Sequence, residues 1–129
     1  MSTSDDTATW TQVFWTAVEH AGDSVLVTDS QFHIVYANPG FTRLTGYSAS
    51  EVMGHTPAFL QGPQTERAVI DRLHSAIDHG EVFEGSTVNY RKDGTPFDIT
   101  WTVAPVTDGN GAATHYVTVQ REAPAGGTA

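Results

Sequence analysis

Residues 88–103 read Val88-Asn89-Tyr90-Arg91-Lys92-Asp93-Gly94-Thr95-Pro96-Phe97-Asp98-Ile99-Thr100-Trp101-Thr102-Val103. Phe97, Ile99, Trp101 and Val103 alternate with Asp98, Thr100 and Thr102, the period-two pattern of a strand with one buried face. Asp93-Gly94 supplies the positive φ of a tight hairpin turn, so Lys92-Asp93-Gly94-Thr95 predicts a reversal into this strand from one over residues 83–91. On the first strand Thr87, Asn89 and Arg91 share a face, and Val88 and Tyr90 take the other. A second turn, Asp108-Gly109-Asn110-Gly111, leads to a last strand at 115–120, where Tyr116, Thr118 and Gln120 share a face.

Working upstream, Val69, Leu73, Ala76 and Ile77 are spaced as the core face of a helix at about 64–79, ended by Gly80. Ser48-Ala49-Ser50-Glu51 has the capping-box pattern of a short helix start. Asn38-Pro39-Gly40 breaks the sheet and opens another short helix carrying Phe41, Leu44 and Thr45. Residues 25–29 and 33–37 read as a strand pair turning at Ser30-Gln31. Residues 7–21 form an amphipathic helix, with Trp10, Phe14, Ala17, Val18 and Ala21 at helical spacing and Val13 beside them. The order of elements gives an α+β domain: a five-stranded antiparallel sheet with helices on one face and an amphipathic helix leading in. The divisions are a cap helix at 1–22, a core at 23–122 and a small-residue tail at 123–129.

Composition narrows the function. The 129 residues fit one domain, and 39% hydrophobic content is ordinary for a water-soluble fold. No apolar run nears the roughly 20 residues that cross a bilayer, and the polar N-terminus resembles no targeting peptide, so a cytoplasmic setting without membrane insertion is expected. Fifteen acids against six bases leave a formal net charge of −9, which argues against a nucleic-acid partner. The same excess predicts a halophilic character, because molar salt screens self-repulsion. The absence of cysteine excludes disulfides, thiolate metal sites and thiol nucleophiles. His20, His33, His55, His74, His79 and His115 lack helical metal-site spacing, and no nucleotide-binding or hydrolase fingerprint occurs, so neither a metal nor an enzyme is expected.

Several stretches carry a family resemblance. Val27-Thr28-Asp29, Tyr36-Ala37-Asn38, Leu44-Thr45-Gly46-Tyr47 and Glu51-Val52-Met53-Gly54 match the PAS pattern. Phe59-Leu60-Gln61-Gly62-Pro63-Gln64-Thr65, then Val88 to Gly94, then Val119-Gln120, match its light-oxygen-voltage (LOV) subclass of flavin-binding blue-light sensors. The chain resembles a LOV-type PAS domain from about Ser24 to Glu122. The LOV motif Gly-x-Asn-Cys-Arg-Phe-Leu-Gln aligns with Gly54 to Gln61, so the reactive cysteine falls on Pro57, its neighbouring Asn on Thr56 and an Arg on Ala58. A second phosphate-binding Arg aligns with His74, and a second flavin-facing Asn with Ile99.

The resemblance implies a flavin site with Asn89 and Gln120 on the polar ring edge. Thr28, Thr56, Pro57, Phe59, Leu60, Gln61, Leu73, Ile99 and Trp101 would wall it, and Arg67, Arg72 or His74 would meet a phosphate. It implies FMN before riboflavin, and before FAD, whose LOV carriers have an extra loop absent here. Without cysteine no covalent flavin adduct can form, so the expected signal is photoreduction to a semiquinone, with Trp101 and then Tyr116 as electron donors. A flavin-free PAS dimerisation or relay module is the alternative. The resemblance also suggests an input module of a larger signalling protein. Val88, Tyr90, Val117 and Val119 make an apolar outer sheet face for Trp10, Phe14 and Trp15 of the first helix to cover, either on its own sheet or, the first expectation, on a partner's in a homodimer.

Overall fold

The chain's last strand lies in the middle of its sheet. β1 (Ser24–Asp29), β2 (Ile34–Ala37), β3 (Phe83–Tyr90), β4 (Pro96–Thr107) and β5 (Ala113–Glu122) are antiparallel in the order β2-β1-β5-β4-β3. The computed structural model describes residues 3–124, with side chains from residue 7 onward. The predicted hairpin is present, with Gly94 at φ +90° and Asn89 opposite Phe97. β4 and β5 run further than their alternation suggested, because each continues the ladder past its last strongly apolar residue.

Helices cover one sheet face in two groups. Over β1 and β2 lie α2 (Pro39–Thr45) and α3 (Ala49–Val52), then a 3-10 turn at Pro57–Leu60. Over β3 lies α4 (Arg67–Asp78). Each group has its own apolar cluster. Leu26, Ile34, Ala37, Phe41, Val52 and Leu60 form one. The other gathers Val69, Ile70, Phe83, Phe97, Ile99, Trp101, Val103 and Tyr116. Ser48 and Glu51 complete the capping box on α3. Asn38 caps α2 and does more: its Oδ1 accepts from the Val25 and Phe41 amides, and its Nδ2 donates to the Val18 and Asp23 carbonyls. All four carboxamide valences are used, which fastens the chain before β1 to the core.

Two expectations change here. α4 starts at Arg67, three residues late, because Gln64 to Glu66 bond to the edge strand. The Gln64 amide donates to the Tyr90 hydroxyl, Thr65 Oγ1 to the Val88 carbonyl, and the Glu66 amide to Thr87 Oγ1. Tyr90 therefore folds around the sheet edge under Gly62, where a Cβ would strike its ring, and is not an open outer-face residue.

α1 (Thr3–Glu19) does not blanket the sheet. Its last turns touch the core through Trp15 against the Tyr36 ring at 4.9 Å and through a Tyr36 hydroxyl donation to Glu19. Trp10 and Phe14 remain 57% and 63% exposed. Of the tail, Ala123 still donates to the Asp98 carbonyl, and residues 125–129 lie outside the described residues.

Candidate functional site

The two helical groups leave a gap over the middle of the sheet. A cavity of about 280 Å³ fills it. Its floor crosses four strands: Thr28 from β1, Thr118 and Gln120 from β5, Trp101 and Val103 from β4, and Asn89 from β3. Leu60 closes one side from the 3-10 turn, and Ile70, Leu73 and Ile77 close the other from α4. Leu60 belongs to one apolar cluster and Ile70 to the other, so the cavity is the seam between them. Its exposed lining residues are Gln31, Thr56, Ala58 and His74, which mark the mouth, while Asn89 and Gln120 lie deep.

The polar groups at the deep end fall into two kinds. Thr28 Oγ1 donates to the Asp29 carbonyl, and Ser24 Oγ donates to Gln120 Oε1 at 3.0 Å. By contrast, the Asn89 carboxamide, the Thr118 hydroxyl and Gln120 Nε2 make no hydrogen bond among the described residues. Asn89 is 8% exposed and Gln120 3%. No side-chain polar atom among the described residues is both sealed from access and unpartnered, so these atoms keep access, and all three residues line the cavity. An apolar pocket with a few convergent polar groups is the usual form of a small-molecule site.

A turn props up one wall. Asp29 Oδ1 accepts from the Gln31 and His33 amides, and the His33 bond foremost holds the Asp29 carboxyl below its ordinary range. This turn sets Phe32 at φ +67° and stacks its ring on Tyr116 at 4.5 Å. Phe32 lines the cavity. Tyr116 sits behind it in the core and does not line the cavity, which separates the second expected electron donor from the site.

Of the residues picked from the sequence, Thr28, Thr56, Pro57, Leu60, Gln61, Leu73, His74, Asn89, Trp101 and Gln120 converge on the cavity. Four do not. Phe59 packs edge-on against Tyr47 at 4.9 Å, on the far side of the 3-10 turn. Ile99 shares the inward face of Trp101, but neighbours close over its shorter side chain and leave it 0% exposed. Arg72 lies over the Phe83 ring at 5.5 Å, and Arg67 stands exposed at the first residue of α4.

Phe32, Ile70 and Val103 line the site without having been singled out for it. Spacing with Leu73 and Ile77 was the available signal for Ile70, and alternation with Trp101 for Val103. Nothing local marked Ser24. Its role depends on the register that sets Ser24 opposite Gln120. No group of three or more His, Asp or Glu converges among the described residues, and no helix among them is long and apolar enough to cross a membrane.

The PAS domain family matches residues 22–123. Phototropin-2 of Oryza sativa subsp. japonica is 45% identical over 89 residues, covering 69% of this chain and 10% of that protein. A blue-light-activated histidine kinase of Brucella anthropi is 36% identical over 110 residues, covering 83% of this chain and 22% of that protein. The chain thus spans a small part of the curated relatives it matches. A solved RNA-binding light-oxygen-voltage receptor superposes with a TM-score of 0.84 at 34% identity, covering 90% of this chain and 34% of that one. Sheet order, cavity position and these likenesses agree: the chain belongs to the PAS domain family, as a LOV-type member.

Proposed function

We propose that the cavity binds a flavin noncovalently and that the chain is a blue-light or redox sensing module, not an enzyme. The observation that carries this is the pair of buried carboxamides, Asn89 and Gln120, presenting unpartnered polar atoms to an otherwise apolar cavity. The donor set fits the flavin ring. Carboxamides supply both donors and acceptors for its pyrimidine edge, and Trp101, Leu60, Ile70 and Val103 supply apolar walls. When bound, the flavin supplies blue absorption and one-electron chemistry.

The chain's own residues then define the response. Pro57 lines the cavity and offers no nucleophile, so no covalent adduct forms. Trp101 lines it too and, with a flavin bound, would be the side chain placed to give up an electron, which an external reductant would restore. Ser24 holds Gln120 Oε1, which leaves Nε2 to donate into the cavity. By turning its carboxamide, Gln120 could instead present Oε1 as an acceptor to the cavity, and would then release Ser24. Ser24 is the first residue of β1, directly after the link from α1, so the switch reaches the helix that leads into the domain.

Purified protein should be yellow and should bleach in the blue under illumination with a reductant. Colourless protein that takes up no added flavin would favour the flavin-free relay module instead.

The same reading extends to the assembly. The exposed apolar stripe of α1, with Trp10, Val13 and Phe14, supports a homodimer through this helix and the outer sheet face, where Val119 is also exposed. A concentration-independent monomer by light scattering would refute it. The order of parts is then a cap over 1–22, a sensing core over 23–122 and a tail over 123–129, serving as the input module of a larger signalling protein in the cytoplasm. A nucleic-acid partner for this segment is disfavoured by its net charge of −9. That charge supports adaptation to high salt, and the melting temperature should rise between dilute and molar salt.

A further inference from the structure

We infer that the cavity selects a flavin without a terminal phosphate, so that riboflavin, not FMN, is the ligand its residues recognise. The inference rests on the flavin reading and concerns a different part of the ligand. The deep end reads the ring, and whatever tail the ligand carries must leave through the mouth at Gln31, Thr56, Ala58 and His74. These side chains offer an amide, a hydroxyl and an imidazole, with Gln61 behind them as a second amide. They are hydrogen-bonding partners for a neutral polyol chain. A phosphate carries up to two negative charges and is ordinarily met by Arg or Lys.

None of the six Lys and Arg side chains lines the cavity. Arg91 pairs with Glu122 at 2.9 Å and lies over the Phe97 ring. Lys92 pairs with Glu51, and Arg121 with Asp23. Arg43 donates to the Ala21 carbonyl. On α4, Arg72 is turned over Phe83, two residues before His74 and off the cavity side. Arg67 is seven residues before His74, about 10 Å along the helix axis at 1.5 Å per residue. An entering phosphate would therefore meet no fixed cation in a chain of net charge −9. Its charge would go uncompensated. Riboflavin presents the same ring and polyol and carries no such charge.

The test titrates flavin-free protein with riboflavin and with FMN, following flavin fluorescence at low and high salt. Riboflavin is expected to bind tighter than FMN at low salt, with the deficit of FMN shrinking as salt screens the repulsion. The variants Ala58→Arg and His74→Arg add a cation at the mouth. Each should raise FMN affinity relative to riboflavin affinity about tenfold. FMN binding to the unaltered chain as tightly as riboflavin or tighter overturns this inference and leaves the flavin reading intact. Binding of neither flavin overturns both. Variants that tighten riboflavin as much as FMN would also overturn it, since the gain would then not be electrostatic.

Discussion

The two ends of the cavity are built by different parts of the fold, and they differ in what they have kept. The deep end stands on paired strands. Gln120 is fixed between Ser24 on one side and Trp101 on the other by register alone, and Asn89 projects from the edge strand onto the same floor. The mouth stands on a 3-10 turn and on the exposed side of α4, where Thr56, Ala58 and His74 are open to solvent. A residue at the deep end is constrained by the sheet whatever the cavity holds. One at the mouth is exposed and less constrained by the fold. Substitution is therefore cheap for the fold at the mouth, and that is where the chain departs most from the LOV pattern, with Ile99 the exception on the sheet.

That exception gives the largest expected effect. The LOV pattern places a flavin-facing Asn where this chain has Ile99, yet Ile99 is sealed in the core. Ile99→Asn should lose the burial of the side chain and strand an amide without partners, costing roughly 3–5 kcal/mol in urea denaturation. An Asn variant that keeps parental stability and binds flavin more tightly would show that this position opens onto the cavity, and would break the distinction between core and floor.

Next in size is a contrast within the deep end. Gln120→Leu removes the acceptor of Ser24, which is itself buried, and should cost about 1–3 kcal/mol of stability together with about tenfold in flavin affinity. Asn89→Leu should cost a similar factor in affinity and leave stability within about 0.5 kcal/mol, because Asn89 makes no side-chain hydrogen bond among the described residues. Equal destabilisation by both would mean that Asn89 serves the fold after all.

At the mouth, His74→Ala should change stability by less than about 0.5 kcal/mol and riboflavin affinity by less than about threefold. A larger loss would place the mouth under the same structural constraint as the floor.

The smallest effect concerns the docking of α1. Burial, and then the Glu19 carboxylate, push the Tyr36 hydroxyl from 10.0 up to about 12. A raised value favours the protonated phenol in the fold. Its contribution is complete below about pH 10 and is lost as pH rises through about 12. The fluorescence of Trp15, which packs on Tyr36, should change across that window, and Tyr36→Phe should abolish the change.

Much of this architecture is legible locally. The Asp93-Gly94 turn, the alternation from Phe97 to Val103 and the Ser48–Glu51 capping box each form where the sequence places them, because each depends on interactions within a few residues. The site is legible only in part. Asn89, Gln120 and Trp101 follow from alternation and family pattern, whereas Phe59, Arg67, Arg72 and Ile99 had equally good credentials and do not reach the cavity. Spacing gives a residue its face. It does not tell whether a neighbour closes over that face, as happens to Ile99, or whether an aromatic ring captures the side chain first, as Phe83 does with Arg72.

By itself, then, the sequence determined which segments become strands, the Asp93-Gly94 turn, the Ser48–Glu51 capping box, the excess of acid and the lack of any thiol at Pro57, since these are properties of composition and of short-range geometry. The tertiary structure alone decided that β5 lies at the centre of the sheet, that Ser24 meets Gln120 across 96 residues of chain, and that none of the six bases faces the cavity. Those facts depend on strand register and on competition between long-range partners, which no local pattern encodes.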